Sequence, residues 1–401
     1  MRILFVAMPF SIHTARWISQ VNDKSWDINL TASMPFKPLH EDINNITYHV
    51  SFYNNIFQKV KGNIYSSPAL PFFSFIESPL LKKLFRKFAG ILGIEKSESQ
   101  KLADLIIKLK PDIIHSMETQ HAGYLVSEAK KRVKGPFPVW IHSNWGIDLH
   151  YFGELQDHIG RIRETLTNID VLLVEGKRDE VLARNLGFEK KVYRFPSVGG
   201  GFIIPSSTLT ALSSRNKILI KGNQDIIRRG IIAIKAVEKC IDLLDNYEIV
   251  LYSASEDTIK EAESFFERTG KRITVCSSIN HEQMLKLNSE ARINLCVNLS
   301  DGLPNAMLEA MLMGALPIQS NTSVADEWID NGKNGFLVPP ENTDQIAMAL
   351  RMALTDNELC EAAGSYNRAL IAERLEYNKI RKEVIRMYED VCVKGKIKEK
   401  K

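Results

Sequence analysis

The chain reads as an α/β protein built from two doubly wound, parallel-sheet domains, and three features of the sequence lead there. Short apolar runs of strand length alternate with amphipathic helical patterns along most of its 401 residues. The alternation comes in two series, on either side of a Gly/Ser/Thr-rich stretch at 197–214. Within the second series a Gly-Leu-Pro turn at 302–304 leads into a Met-rich helix, with one carboxylate before it, Asp301, and one inside it, Glu309. Ligands of doubly wound sheets bind beyond the carboxyl ends of the strands. The two domains are therefore expected to face each other across a cleft.

Taken in order, the apolar run opening the chain (MRILFVA) predicts a buried strand at 3–8, followed by a loop at 9–13 and a helix from about Thr14. The run is too brief for a signal-peptide core or a membrane span. Further strands are predicted at 112–116, 139–142, 171–175 and 192–195. This gives a first domain over 1–197 and a linker over 198–214. The second domain, 215–375, opens with the strand KILIK at 217–221 and a helix over 230–242. Strands follow at 248–252, 272–276 and 293–297. In the motif at 300–314, Pro304 suits the first helical position and Gly314 the residue just past the helix end. A strand at 315–318, a short one at 335–338 and a helix at 343–354 complete the series. Residues 376–401 predict a C-terminal helix, able to return to the first domain, with a frayed basic tail at 394–401.

Composition excludes several classes. Hydrophobic content of 44% and charged content of 25% are ordinary for a globular protein. The net charge of +4 is too mild to call for nucleic acid. It is unevenly spread: residues 1–195 hold 26 Lys and Arg against 20 Asp and Glu, leaving the remainder slightly acidic. Five scattered cysteines without a Cys-x-x-Cys pair support neither a zinc site nor a disulfide framework, which predicts a reduced, cytoplasmic protein. No run of about 18 apolar residues occurs, so any membrane contact is expected to be peripheral.

The loops at 9–13, 115–120, 142–148, 221–229 and 300–304 are expected to open on the cleft. The helix start after Pro304 offers free backbone N–H groups and a positive dipole end, which suit anionic or polyhydroxyl ligands. In the 221–229 loop, Lys221, Arg228 and Arg229 supply cations, while Gly222 and Gly230 allow close backbone approach. No two aspartates stand two residues apart, so no Asp-x-Asp metal pair is present. Neither a metal nor a cofactor is expected.

The stretch DGLPNAMLEAMLMGALPIQS, followed by Glu327 and by NGKNGFLV at 331–338, resembles the C-terminal domain of retaining GT-B glycosyltransferases of family four. KILIKGNQDIIRRGIIAIKAVE at 217–238 adds to the resemblance, and PDIIHS at 111–116 and WGID at 145–148 extend it into the first half. The resemblance implies a GT-B fold of two Rossmann-like domains, the first for the acceptor and the second for a nucleotide-diphosphate sugar. It also implies a retaining, metal-independent transfer in which the leaving phosphate helps deprotonate the acceptor. Fixed cations and backbone donors then stabilise the diphosphate.

By this resemblance Arg229 takes the place of a diphosphate-binding lysine. Asn223 stands where the family has an arginine, and either Lys221 or Arg228 can supply the missing charge. Glu309 matches the ribose-binding glutamate. Asp301 stands for the glutamate near the donor sugar, its carboxylate drawn back by roughly one carbon–carbon bond, about 1.5 Å. The backbone of Gly302, Leu303, Pro304 and Asn305 would donate to sugar or phosphate. The catalytic candidates are thus Asp301, Arg229 and His13, the last in a loop where the family often has a glycine pair; His13 and Thr14 also read as helix caps. His115, Trp145 and Asp148 are the acceptor-side candidates. His115 suits a structural role as well, the family's second histidine being Met117 here, and Asp148 suits a helix cap. The Met307–Met313 stripe reads as packing.

The segment 71–93, with Lys82, Lys83, Arg86 and Lys87 beside Leu81, Leu84, Phe85 and Phe88, places a basic face next to an apolar one. It fits an anionic membrane surface, at about 1 kcal/mol per surface cation, and equally a helix facing a core. The function that follows is transfer of a sugar to a saccharide or lipid-linked saccharide in cell-surface polysaccharide synthesis. The protein would be cytoplasmic or peripheral on the inner face of the cell membrane. A nucleotide-sugar epimerase and a catalytically silent sugar-nucleotide-binding subunit are the alternatives.

Overall fold

Two all-parallel sheets organise the chain in a computed structural model that describes residues 1–34, 38–49, 62–66, 96–195, 200–206, 209–276 and 279–398. One compact unit comprises Met1–Gly201 with Asn378–Lys401, the other Phe202–Tyr377. The segment 71–93 expected to meet a membrane lies outside the described residues. Among those described, no helix is long and apolar enough to cross a membrane.

The first sheet has eight strands: β1 (Arg2–Ala7), β2 (Asp27–Ala32), β3 (Thr47–His49), β4 (Ile64–Ser66), β5 (Ile113–Met117), β6 (Val139–Ser143), β7 (Val171–Val174) and β8 (Lys191–Arg194). Their order is β4-β3-β2-β1-β5-β6-β7-β8. Ile3 through Ala7 are fully buried, as expected of a central parallel strand covered on both faces. Strands β2, β3 and β4 were not expected. β3 and β4 are only three residues long, and β2 (DINLTA) mixes polar with apolar residues; its Asn29 is buried and turns its amide back onto Asp27 (2.8 Å). Such strands exist because each finds an edge to pair with, β2 on β1, β3 on β2 and β4 on β3, and their composition alone does not announce them.

The second sheet has six strands: β9 (Lys217–Lys221), β10 (Glu248–Tyr252), β11 (Ile273–Cys276), β12 (Ala291–Cys296), β13 (Leu316–Ser320) and β14 (Phe336–Val338). The order β11-β10-β9-β12-β13-β14 is the doubly wound pattern, which reverses direction between β9 and β12. In the first sheet the same reversal falls between β1 and β5. These switch points locate the crevices at the carboxyl ends of the two sheets.

The helices follow their caps. Ser97 accepts from Gln100 N (3.2 Å) to start the helix Glu98–Leu109, and Ser255 with Thr258 forms a capping box for Glu256–Thr269. The helix at the motif is Asn305–Leu312, so Pro304 is its cap and not its first helical residue. Gly314 has φ +77°, the left-handed turn that ends the helix and that a side chain would strain. The helix expected over 230–242 stops at Glu238 and continues as a short 3-10 turn at Ile241–Leu243.

The C-terminal helix Tyr377–Lys398 packs onto the first unit through Tyr388, whose fully buried hydroxyl accepts from Trp17 Nε1 (2.9 Å) and bonds His115 Nδ1 (2.5 Å). Phe202 N donates to Leu375 O (2.7 Å) and Tyr377 N to Phe202 O (2.9 Å), tying the described part of the linker to the segment before that helix.

Candidate functional site

In the second unit the crevice at the switch point lies where β9 and β12 end. Tyr252 pairs with Lys221, and Cys296 follows Leu295, the partner of Ile220. Lys221, Tyr252 and Cys296 thus form a row across three neighbouring strands. The helix Asn305–Leu312 brings Glu309, 7% exposed, to this row. The Lys221 ammonium sits among Cys296, Asp301 and Glu309, which together raise its pKa against the cost of burial. Burial pushes the Cys296 thiol and the Tyr252 phenol up.

The cationic loop is stitched to the strand end that precedes Asp301. Arg229 N donates to Val297 O (3.1 Å), Leu299 N to Ile227 O (2.8 Å), and Arg228 bridges Asn298. This brings Arg228 and Arg229 beside the Asp301 turn, 73 and 72 residues away in sequence. Arg228 pairs with Asp225 (2.5 Å). Arg229 reaches Glu341 (3.2 Å) and the carbonyls of Asp225 and Arg228. Asn223 lends its carbonyl to Gly230 N (3.0 Å). The space at Gly230 belongs to the protein itself: a Cβ there would fall 2.8 Å from both Asn223 O and Thr258 Cγ2. At Gly222 it would strike Leu251 at 2.8 Å. These glycines therefore close the loop onto its own sheet, whereas the sequence suggested approach to a ligand.

Asp301 accepts from Asn298 Nδ2 (2.9 Å) and from Gly302 N (2.9 Å). The Gly302 N–H, expected to face sugar or phosphate, is directed to its own neighbour's carboxylate. Leu303 and Pro304 are buried and Asn305 is half-buried at the helix start. Sequence reasoning missed His281. It opens the helix His281–Glu290 behind the cap Asn280, and its Nδ1 lies 3.4 Å from Glu309 Oε1. The Asn-x-x-Gln capping box was the signal available.

In the first unit the loops after β1, β5 and β6 hold the candidates. The helix Ile12–Ile18 is capped by Ser11, whose Oγ accepts from His13 N (3.2 Å), so His13 and Thr14 lie inside the helix and do not cap it. The His13 ring meets Trp145 edge-on at 5.6 Å. His115, a candidate acceptor ligand, is fully buried, with Nδ1 on Tyr388 and Nε2 on Ser143 Oγ (2.7 Å). Its place is in the core. Desolvation first, then neighbouring His142, lowers its pKa to about 3. His142 is likewise held at about 3 by burial, between Ser116 Oγ (2.8 Å) and Thr119 Oγ1 (2.9 Å).

Asp148 is 1% exposed. Its Oδ2 accepts from Thr119 N (2.9 Å), Thr119 Oγ1 (3.0 Å) and Trp145 N (2.8 Å), so it joins two loops from within. Burial, and then nearby Glu118, push its carboxyl well above the usual range. Among the described residues, no group of three or more His, Cys, Asp or Glu side chains is placed to hold a metal ion.

Residues 231–370 match the profile of the family described as glycosyl transferases group 1. Sucrose-phosphate synthase from Thermosynechococcus elongatus superposes with a TM-score of 0.71 at 15% identity, covering 98% of this chain and 99% of that one. HepE of Anabaena, in complex with UDP and glucose, gives a TM-score of 0.66 at 14% identity, over 97% of this chain and 100% of that one. A glycosyltransferase from Rickettsia africae gives 0.65 at 12% identity, over 97% and 98%. No curated protein sequence matches the chain. At such identities the superpositions speak to fold, and they cover both sheets. The chain therefore has the GT-B fold, and the match to the glycosyl transferases group 1 profile falls within its second unit.

Proposed function

We propose that this protein is a retaining, metal-independent glycosyltransferase that moves a sugar from a nucleotide-diphosphate sugar to a saccharide or lipid-linked saccharide. Its place would be cell-surface polysaccharide synthesis in the cytoplasm, with 71–93 against an anionic membrane surface. One observation carries the reading: Asp301 and Glu309, inside the family-matched stretch, converge with Lys221 at the switch point of the second sheet. HepE, of the same fold, was captured with UDP and glucose, which supports a nucleotide sugar as donor.

The chemistry asks for positive charge at a departing diphosphate. Arg228 and Arg229 pair with Asp225 and Glu341, whose side chains are 40% and 66% exposed. Exposed pairs of this kind hold by only about 0–1 kcal/mol, less than the ~1.5–3 kcal/mol of a hydrogen bond to a charged group. A diphosphate can therefore displace them. Glu309 would take ribose hydroxyls, and His13, Trp145 and Asp148 would shape the acceptor side.

Thermal-shift titration with UDP, GDP, ADP and their sugars tests the donor half, since a ligand that binds the native state raises the melting temperature. One nucleotide series is expected to stabilise the protein, and Glu309→Ala to weaken that binding about tenfold, the loss of one charged hydrogen bond. Stabilisation by no nucleotide would end the reading. A catalytically silent, nucleotide-binding role is the second possibility, favoured by Asp301 being turned onto Asn298 and Gly302. Nucleotide binding without nucleotide release, whatever donor and acceptor are supplied, would select it.

A further inference from the structure

The loop after β5, at the switch point of the first sheet, holds an arrangement that the donor chemistry does not use. Glu118 has φ +80° and ψ 144°. A side-chain-bearing residue held in such backbone costs about 1–3 kcal/mol and persists only where its surroundings impose it. The residues that follow, Thr119–Gly123, form a π-helical turn, a form that concentrates at functional sites. The Glu118 side chain is 7% exposed and accepts from His121 N (2.9 Å) and Ala122 N (3.3 Å). Its Oε1 also meets His121 Nδ1 at 3.0 Å, while the His121 side chain is 45% exposed.

A carboxylate only accepts hydrogen bonds, so Nδ1 of His121 carries the proton and Nε2 presents a lone pair away from Glu118. The surroundings narrow what that lone pair can meet. The Glu118 carboxylate beside the ring, close enough to act electrostatically on Asp148 as well, disfavours an anion. Three N–H groups at the start of the turn are already engaged: Thr119 N by Asp148, His121 N and Ala122 N by Glu118. A neutral hydrogen-bond donor fits there, and the acceptor expected at this unit supplies one as a saccharide hydroxyl. Capping the turn would need only the Glu118 carboxylate; orienting a half-exposed imidazole is additional.

We propose that the Glu118–His121 pair is a hydroxyl-binding subsite of the first unit, in which His121 Nε2 accepts a hydrogen bond from an O–H of a saccharide. It rests on the reading that this unit receives the acceptor and makes His121 a binding residue, with Glu118 its positioning residue. Glu118 raises the His121 pKa against partial burial. The other titratable groups around Glu118 are Asp148 and Tyr124, with Arg161 lying over the Tyr124 ring (3.8 Å) and His142 buried behind Thr119. Below its raised pKa His121 is an imidazolium and Nε2 no longer accepts, so saccharide binding weakens as pH falls through that pKa.

The test follows the His121 ring resonances of the full chain by NMR. The probes are methyl glycosides of glucose, galactose, mannose and N-acetylglucosamine, with UDP, GDP and ADP titrated separately. At least one glycoside is expected to shift the His121 signals and lower its pKa. E118Q should lower the pKa of the free protein and weaken that glycoside about tenfold, the loss of an oriented hydrogen bond. H121F should bind at least as weakly, whereas H121Q, whose amide reaches the place of Nε2, should retain part of the affinity. Nucleotide binding should stay unchanged in all three variants. If no glycoside moves His121 while a nucleotide still binds, or if H121F binds glycoside like the wild type, the subsite is wrong. If a glycoside binds His121 and no nucleotide binds at all, the transferase reading fails and the subsite stands.

Discussion

The carboxyl ends of the two sheets are built on opposite principles. In the second unit the candidate side chains are cations and carboxylates, from half-exposed Arg228 to nearly buried Glu309, gathered by a loop that hydrogen-bonds the segment before Asp301. In the first unit they form a buried network: Trp17, Tyr388, His115 and Ser143 in one branch, Trp140, Ser116, His142, Thr119 and Asp148 in the other. Ion pairs with an exposed partner, like those of Arg228 and Arg229, can open for a charged ligand at little cost. A buried polar network is rigid, because every lost partner leaves a desolvated group behind. The first design suits a diphosphate that comes and goes, the second a fixed surface that holds a neutral ligand in place.

The comparison breaks most readily with acid. Eight of the nine histidines lie in the first unit. Those at 115 and 142 are buried neutral with pKa values lowered to about 3 by desolvation. The unfolded chain takes up protons near the ordinary value of about 6.5 and the folded one does not, so their stabilisation is present above pH 6.5 and is lost between there and pH 3. Each imidazole removes up to about 1.4 kcal/mol per pH unit in that window. Asp148, whose pKa is raised, works in the other direction and offsets part of the loss. Amide hydrogen exchange against pH is expected to open the first unit before the second. Simultaneous opening would show that the buried histidines do not set its stability.

The next largest effect belongs to the second unit. Arg229→Ala removes a cation from the proposed diphosphate site and is expected to reduce turnover about 10²–10³-fold, the range for deleting one preorganised donor to developing charge. The melting temperature should hardly change, since the pair with exposed Glu341 contributes little. Tyr388→Phe should behave in the opposite way. It strips a hydroxyl from both Trp17 and His115, at a cost of about 1–3 kcal/mol in denaturant unfolding, and leaves nucleotide affinity intact. If Tyr388→Phe altered nucleotide binding and Arg229→Ala altered stability, the contrast between the two units would be wrong.

The sequence made the second unit legible because its signals are local. KILIK and Glu248–Tyr252 carry their strand pattern in five residues each, and the structure ends both strands where the pattern does. Gly314 stops its helix for a reason confined to its own backbone angles. Other features depend on partners far along the chain. β3 is a strand because β2 lies beside it, and β4 because β3 does. His115, at a strand end, suits a ligand or a structural role by sequence, and Tyr388, 273 residues later, closes over it and makes it core. Glu118 and His121 were passed over because neither residue type nor spacing signals a strained turn.

The amino-acid sequence by itself determined the two series of alternating strands and helices, the Asp301–Glu309 motif and the resemblance it carries. Periodicity, turn chemistry and motif spacing are properties of neighbouring residues. The tertiary structure alone decided which polar residues gather at the ends of the sheets and which are sealed in the core. It set Lys221 among Cys296, Asp301 and Glu309, buried His115 and Asp148, and turned His121 outward on Glu118. Burial and long-range hydrogen bonding are settled only when distant segments pack, and the same side chain serves as core or as site according to which segments arrive.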